Sequence, residues 1–331
     1  MSSDIPAFPG FYEHSRLVAG SSILAAELLC QGKHDVVLNW MGGLHHARKS
    51  KASGFCYVND CVLSIMRLLY EYERVLYVDI DVHHGDGVEE AFLNTNRVMT
   101  LSVHQYDPET NFFPGTGSIN DKGCGEGKNY SVNVPLRKGC TDESFEFIFQ
   151  GVLDRAVERF RPDAIVLQSG ADSLVGDSIG GFNLSIKGHG KAFKYVLDKN
   201  LPTVCLGGGG YTVENVSRCW AYESAIAIGA QLDDYLPKNL EYSHEYSQPL
   251  LHYNPPNLHK ITRDYNDKNF LYEVMAKIDQ NLKNLEIRPG VSFGDRPDIS
   301  EFTNRIAKHS GKSDDSIEEF EVDDKHFDAV I

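Results

Sequence analysis

Residues 74–87 read RVLYVDIDVHHGDG, and this stretch decides which fold the chain can adopt. Its first half, RVLYVDI, is a continuous apolar run without polar alternation, which is typical of a strand buried on both faces of a parallel sheet. A buried carboxylate is costly unless it is paired or bound to a metal. The stretch therefore predicts a cation, a network of paired ionisable groups, or both, at the end of a buried strand. Five ionisable residues stand there in close succession: Asp79, Asp81, His83, His84 and Asp86.

Segments with strand and helix patterns alternate along the rest of the chain, which predicts a single α/β domain with a mostly parallel sheet flanked by helices. The predicted strands are 35–40, 74–80, 97–103, 130–136, 163–168 and 202–206. The predicted helices are 12–31, 58–70, 142–159, 186–199, 213–228 and 270–286. Residues 233–268, rich in Tyr, Pro, Asn and His, are expected to form extended surface structure.

Composition and charge limit the classes of function. The chain has 331 residues, of which 41% are hydrophobic, and a net charge of −15. This charge argues against binding of nucleic-acid phosphates. It suits a cationic partner such as a lysine-rich peptide, or it serves solubility alone. Residues 310–331 hold eight acidic residues and two lysines, so we expect a disordered acidic tail there.

Cysteine usage and hydropathy limit the compartment. The seven cysteines include no CxxC pair, which predicts reduced thiols in an intracellular protein. The N-terminus has no signal-peptide pattern, and no apolar run approaches the ~20 residues that a membrane helix needs.

Polar clusters follow five of the predicted strands. GGLHHARKS, DVHHGDG, HQY, SGADS and GGGGYT each stand at or just after a strand end. In parallel sheets, sites form in the loops beyond the carboxyl ends of the strands. Packing alone hardly explains His, Asp, Ser, Gly and Tyr at five such ends, so we expect a functional site at this edge.

Asp81 and His83 are candidate metal ligands. Residues i and i+2 of a strand share one face, so both side chains can reach one cation. Asp172, in QSGADS, could supply a third ligand from a neighbouring strand end. Two carboxylates and an imidazole leave positions open for water and substrate, as catalytic zinc sites do. The alternative is a hydrogen-bonded polar network without a metal.

The adjacent residues His45 and His46 are candidates for acid–base chemistry. Neighbouring side chains diverge and rarely bind one metal together, whereas each could pair with an aspartate such as Asp79 or Asp86. A carboxylate on one imidazole nitrogen raises basicity and fixes the tautomer. Beside a metal-activated water, such a histidine would give a metal-assisted hydrolase. Taken alone, either histidine is better explained by a structural role.

GGGGY at 207–211 is neither GxGxxG nor a Walker motif, so we do not expect nucleotide binding. Tyr211 could present its hydroxyl to a developing oxyanion, or it could be a packed ring after a flexible loop. Phe55 and Phe113 lie in glycine-flanked loops, where they could form the walls of an apolar channel or simply pack.

Taken together, GGLHHARKSKASGFCYVND, VDIDVHHGDGVEEAF, FFPGTG, QSGADSL and LGGGGYT, in this order, resemble the class I zinc-dependent histone deacetylases. The resemblance runs from about Asp4 to about Gly290. It implies an arginase/deacetylase-type fold with an eight-stranded parallel sheet. It also implies a catalytic domain over 1–290, an acidic tail over 291–331, and hydrolysis of the acetyl amide of Nε-acetyl-lysine in histones or other proteins.

The resemblance also implies roles for the residues in these motifs. His46, paired with Asp86, would act as general base and then as acid, and His45, paired with Asp79, would give electrostatic support. Tyr211 would hydrogen-bond the acetyl carbonyl and its oxyanion. The implied ligands of zinc, with ferrous iron as the alternative, are Asp81, His83 and Asp172. The implied substrate-binding residues are Asp4, Gly54, Phe55, Phe113 and Ile179. The implied potassium ligands are Asp79, Asp81, His83, Ser102 and Val103 at one site and Phe92, Thr95, Val98 and Tyr130 at a second.

Further implications concern partners and location. The resemblance implies acetylated histone tails or other acetyl-lysine proteins as substrates and transcription repression in the nucleus. A corepressor complex is a further partner to test, and the cytoplasm is a further location to test. The chain departs from the family in three ways. The given sequence starts close to Asp4, where the family normally has a further βα segment before it, and HQYDPETNFFPGTG is slightly long between His104 and Phe112. Ser178 and Glu214 stand at positions where family members have basic residues that bind inositol phosphate. We therefore expect weak or no binding of inositol phosphate.

Three alternatives remain open beside a lysine deacetylase. The chain could be a non-catalytic scaffold subunit of a repressor complex, or a deacylase for polyamines or longer acyl-lysines. A two-manganese ureohydrolase of the same fold is a third reading, but His84-Gly85 stands where that pattern needs another ligand.

Overall fold

The computed structural model describes residues 5–253 and 263–285. Six strands are present in this part of the chain: β1 (Val36–Asn39), β2 (Val75–Asp79), β3 (Val98–Gln105), β4 (Ser131–Leu136), β5 (Ala164–Gln168) and β6 (Thr203–Leu206). Seven α-helices accompany them: α1 (Phe11–Cys30), α2 (Asp60–Leu68), α3 (Asp86–Phe92), α4 (Asp142–Phe160), α5 (Ile186–Leu197), α6 (Val213–Ala227) and α7 (Lys268–Leu282).

The described strands form one parallel sheet in the order β1-β6-β5-β2-β3-β4. This confirms the predicted α/β class. The described residues contain six strands, whereas the resemblance implies eight. The register places Asp79 at the end of β2 beside Ser102 of β3 and Gln168 of β5. The carboxyl ends of the central strands therefore meet at one edge, where the polar motifs follow.

Strand β2 shows why the strands are apolar without alternation. Val75 and Tyr77 pack into a cluster with residues of α1 and α2, whereas Leu76 and Val78 pack into a larger cluster with residues of α4 and α5. All four side chains are at most 1% exposed. Both faces of the sheet are thus covered, and a strand in that position gains from apolar residues on both sides.

The predicted elements are all present, with ends shifted by a few residues, but the prediction missed α3. This seven-residue helix begins inside the motif HHGDGVEEAF and has no side-chain cap at Gly85. The sequence therefore showed neither a clear helical period nor a capping residue there. Within the segment predicted as extended, residues 243–245 form a short 3₁₀ turn. Residues 254–262, Asp4 and the tail over 291–331 lie outside the described residues. No described helix is both long and apolar enough to cross a membrane.

Candidate active site

Asp81, His83 and Asp172 come together where β2 and β5 end. Asp81 and His83 follow β2, and Asp172 lies on the short 3₁₀ turn 171–173 that follows β5. Each offers a ligand atom within 4.8 Å of the others. The Nδ1 atom of His83 lies 2.9 Å from Asp172 Oδ2 and 3.1 Å from Asp81 Oδ1. The three side chains are 0 to 5% exposed, so their charges are not solvated by bulk water.

Backbone and side-chain donors hold the two carboxylates in place. Asp172 Oδ1 accepts a hydrogen bond from the backbone N–H of Val82 at 2.8 Å. Asp81 Oδ2 accepts from Gln168 Nε2 and from the backbone N–H of Gly209, both at 2.9 Å. A Cβ atom on Gly209 would lie 2.2 Å from Asp172 Oδ2. The glycine-rich segment is therefore needed for close approach to these carboxylates.

The pKa values of two residues in this cluster are shifted strongly by burial and by neighbouring charges. Burial and the neighbouring charge of Asp81 raise the pKa of Asp172 to about 7. Burial opposes protonation of His83, but the carboxylates of Asp172 and Asp81 outweigh it and raise its pKa to about 10. A divalent metal that bound these groups would displace the protons that they hold. The donor set of one nitrogen and two carboxylates fits zinc.

Two His–Asp pairs flank the cluster. The Nδ1 of His45 lies 2.8 Å from Asp79 Oδ2, and that of His46 lies 2.8 Å from Asp86 Oδ1. The two Nε2 atoms of the histidines are 3.0 Å apart. The guanidinium of Arg48 donates to the other oxygen of Asp86 at 2.5 Å.

The two histidines differ in protonation. Burial opposes a charge on His45, but Asp79 and Asp81 outweigh it and raise its pKa to about 9. Burial, together with the charge of His45, lowers the pKa of His46 to about 4. At neutral pH, His46 is therefore a neutral imidazole that can accept a proton, beside a cationic His45.

A cavity of about 520 Å³ leads to this cluster. Aromatic rings in its walls contact two of these histidines. The ring of Phe112 stacks on His83 with centroids 5.2 Å apart. The ring of Phe113 meets His46 edge to face at 5.0 Å. Burial raises the pKa of the Tyr211 phenol, so its hydroxyl remains a donor at neutral pH. The lining residues are His46, Gly54, Phe55, His83, Phe112, Phe113, Ile179 and Tyr211.

Sequence reasoning named most of this lining but missed Phe112. The residue immediately precedes Phe113 in FFPGTG, and of this pair only Phe113 was named as a candidate from the sequence. The stacking on His83 was the missing information. Asp4, expected at the rim, lies outside the described residues.

Some of the residues that are expected to hold potassium have neighbours that the structure describes. Ser102 lies beside Asp79 in the β2–β3 register, and Val103 follows it. For the second group, Thr95 N–H bonds Phe92 O at 3.2 Å, and the carbonyl of Tyr130 accepts from Thr100 N at 2.9 Å. Val98 is the first residue of β3 and lies in the sequence between Thr95 and Thr100.

Comparison with known proteins gives consistent matches. Residues 1–227 match the family described as "Histone deacetylase domain". The chain is 48% identical over 301 residues to "Histone deacetylase 19" of Arabidopsis thaliana, and the aligned region covers 91% of this chain and 59% of that protein. It is 48% identical over 293 residues to "Histone deacetylase 1" of Homo sapiens, covering 88% of this chain and 59% of that protein.

A fungal protein is matched over a larger share of its length. "Histone deacetylase clr6" of Schizosaccharomyces pombe is 46% identical over 317 residues, covering 95% of this chain and 76% of that protein. By contrast, the matched region spans only 59% of the Arabidopsis protein and 55% of "Histone deacetylase HDAC1" of Drosophila melanogaster.

Proposed function

The chain belongs to the histone deacetylase family, and from this premise we propose that it is a metal-dependent lysine deacetylase. The reaction would hydrolyse the acetyl amide of Nε-acetyl-lysine in histones or other proteins. One observation carries the proposal: the paired carboxylates Asp81 and Asp172 with His83, at the inner end of an apolar cavity that also presents His46 and Tyr211.

We propose that Asp81, His83 and Asp172 hold zinc, with ferrous iron as an alternative for the same donors. The bound ion would lower the pKa of a water molecule and polarise the acetyl carbonyl. The bonds from Gln168 and Gly209 to Asp81 would keep the ligand carboxylate oriented, as outer partners do in metal sites.

His46 would take the proton of the attacking water on Nε2. Asp86 accepts a hydrogen bond from His46 Nδ1, which leaves the lone pair on Nε2, the atom that lies 3.0 Å from Nε2 of His45. The same proton would then pass to the departing lysine amine, so that His46 acts first as base and then as acid. His45, held cationic by Asp79, would favour the negative charge that develops nearby.

Tyr211 would donate its hydroxyl to the acetyl oxygen as that oxygen becomes an oxyanion. The apolar stem of the lysine would lie between Phe55 and Phe113, with Gly54 and Ile179 beside it. Gly54 allows this narrow passage, since a Cβ there would lie 2.5 Å from His46 Cδ2. Asp4 would bind the substrate backbone at the rim.

Structural cations, partners and location are part of the same proposal. Potassium would be held by the two residue groups around Asp79 and Tyr130 described above. The net charge of −15 would attract cationic histone tails, and the relatives are named histone deacetylases. We therefore propose a nuclear role in chromatin regulation and transcription repression, within a corepressor complex.

Inositol phosphate is not proposed as a regulator. Glu214, at one of the positions expected to bind it, pairs with Arg218 at 2.9 Å and bonds Ser247. A carboxylate there repels phosphate and also engages the nearby guanidinium. The catalytic domain is proposed to extend over 1–290, followed by a tail over 291–331.

The test is to express the chain, quantify its bound zinc, and measure acetate release from an acetyl-lysine peptide with and without a chelator. We expect about one zinc per chain and release that the chelator abolishes and added zinc restores. Zinc-loaded, folded protein without turnover would contradict the proposal and favour a scaffold. Release only from acetylated polyamines or longer acyl-lysines would assign the other substrate class.

A further inference from the structure

Asp177 lies in the loop that carries Ile179, and its carboxylate connects this loop to the segment that carries Tyr211. Its Oδ1 accepts hydrogen bonds from the backbone N–H groups of Ile179 and Gly180, both at 3.0 Å. Its Oδ2 accepts from the backbone N–H of Tyr211 at 2.7 Å. One side chain thus receives three backbone donors from two segments that are more than 30 residues apart.

Two further contacts hold the loop 176–180 in place. The hydroxyl of Thr212 donates to Gly176 O at 3.0 Å. A Cβ atom on Gly180 would lie 2.1 Å from Asp172 O, so this loop packs directly on the backbone of a proposed metal ligand. The loop 176–180, Tyr211 and Asp172 therefore have fixed relative positions.

The segment that precedes Tyr211 explains why an additional contact is needed to fix the position of this residue. Gly208 and Gly210 have φ angles of 153° and 147°, which residues with a side chain rarely adopt. A glycine-rich segment gives close approach to Asp81 and Asp172, but it does not by itself fix the residue that follows. Among the described residues, the Tyr211 ring contacts one other aromatic ring, that of Phe55, at a centroid distance of 5.8 Å.

We propose that Asp177 is a positioning residue for Tyr211: its carboxylate fixes the Tyr211 backbone, and thereby the hydroxyl, relative to the inner end of the cavity. Through Ile179 and Gly180 it also sets the opposite lip. Asp177 does not touch the substrate; it acts through Tyr211. This role rests on the proposed deacetylase activity, in which Tyr211 stabilises the oxyanion.

The variants Asp177→Asn and Asp177→Ser separate this role from folding of the loop. Asn and Ser both support tight turns through an oxygen acceptor, so the 177–180 turn can form in either. In Asn, the amide NH₂ would face the Tyr211 N–H, and in Ser the side chain is too short to reach it. The matched control is Asp267→Asn, since Asp267 accepts the Phe270 N–H at 3.0 Å as the N-cap of α7 and Asn caps equally well.

We expect kcat to fall about tenfold in both Asp177 variants, because a small misplacement of a catalytic group is costly, while KM changes little. The control should match the wild type. In the double variant Asp177→Asn/Tyr211→Phe, kcat should equal that of Tyr211→Phe alone, because Asp177 has no route to the reaction without the hydroxyl. Full additivity of the two losses, or wild-type kcat in both Asp177 variants, would overturn the proposal.

Amide hydrogen exchange provides a readout that does not need turnover. The Tyr211 amide should exchange slowly in the wild type and in Asp267→Asn, and faster in both Asp177 variants. Unchanged exchange, or loss of bound zinc and of folding in both variants, would show a different role and overturn the proposal. A zinc-loaded wild type that releases no acetate would contradict the deacetylase function itself, and the exchange rates would still decide whether Asp177 fixes Tyr211.

Discussion

The described residues contain two buried clusters whose side chains could hold a metal, and they differ in a way that explains which one is the candidate site. Asp81, His83 and Asp172 form the first, at the strand ends. His189 of α5 forms the second together with two residues of α6, Cys219 and Glu223. Both are buried, and both bring their ligand atoms within 4.8 Å of one another. Residue type and proximity therefore do not distinguish them.

Hydrogen bonding and charge do distinguish them. In the α5–α6 cluster, His189 Nδ1 lies 2.6 Å from Glu223 Oε1, and His189 Nε2 lies 3.0 Å from Gly170 O. The second oxygen of Glu223 accepts from Ser169 Oγ at 2.9 Å. One imidazolium and one carboxylate balance each other, and their polar atoms are paired. This arrangement satisfies the requirement for burying polar groups without any added ion.

The strand-end cluster has more carboxylates than cationic side chains to pair with them. Asp79, Asp81 and Asp172 lie together with His45 and His83, and Asp172 has its pKa raised to about 7 by burial and by Asp81. His83 also lines the cavity, whereas His189, Cys219 and Glu223 are each 0% exposed. We therefore expect the metal at the strand-end cluster, which combines suitable ligand atoms with surplus negative charge and access from the cavity.

The largest expected effect is that of Asp172→Ala. Removing one of two ligand carboxylates should abolish stoichiometric zinc binding and lower acetate release by on the order of a thousandfold or more, because the metal supplies several kcal/mol of catalysis. Bound zinc and turnover are measured on the same preparation. Asp198→Ala is the control, since Asp198 pairs with Lys194 on the exposed end of α5 and should leave both unchanged. A zinc-loaded Asp172→Ala protein would break the distinction between the clusters.

Tyr211→Phe should have the next largest effect. The ring and its contact with Phe55 stay, but the hydroxyl is lost, so kcat should fall by on the order of a hundredfold while zinc remains bound, since oxyanion donors act in the transition state. Steady-state kinetics with zinc quantification separate this loss from that of Asp172→Ala. Normal kcat in Tyr211→Phe would contradict the oxyanion role.

The sequence predicted the strands well for a physical reason. Residues such as Val75 to Val78 are buried on both faces, and double burial leaves a continuous apolar run that is easy to recognise. Helix α3 was missed because seven residues give no clear period and because it starts within a polar motif. The strand order could not be read from periodicity, although it is what brings β5 beside β2.

The candidate site shows the same limit. Spacing placed Asp81 and His83 on one face of a strand, but Asp172 is 89 residues further along from His83, and only the sheet order brings it there. The resemblance supplied the His–Asp pairing, which residue types alone left open. Phe112 and Asp177 were not named for the cavity, because a ring stack and backbone hydrogen bonds between loops leave no pattern in a single sequence.

Glu223→Gln tests the balanced cluster. The variant removes the charge that faces His189 while keeping the size of the side chain, so the free energy of unfolding should fall by about 3 kcal/mol, as when a buried ion pair is broken. Denaturant unfolding and zinc quantification are the measurements. We expect one zinc per chain and most of the turnover to remain. Loss of zinc from Glu223→Gln with Asp172 intact would show that the α5–α6 cluster is the metal site instead.

The smallest effect concerns pH and sharpens the same comparison. Burial disfavours a charged His189, but Cys219 and Glu223 outweigh it and raise its pKa well above the usual value. A histidine with a raised pKa stabilises the fold fully below its unfolded pKa of ~6.5, and this contribution is lost as pH rises through the folded pKa. The protein that keeps Glu223 and the Glu223→Gln variant should therefore differ less in free energy of unfolding as pH rises from 6 toward 10. Measuring it in the Asp172→Ala background removes the pH dependence of zinc binding from both proteins. A difference that grows with pH would show that His189 is neutral in the fold, and that the second cluster is not balanced by an ion pair.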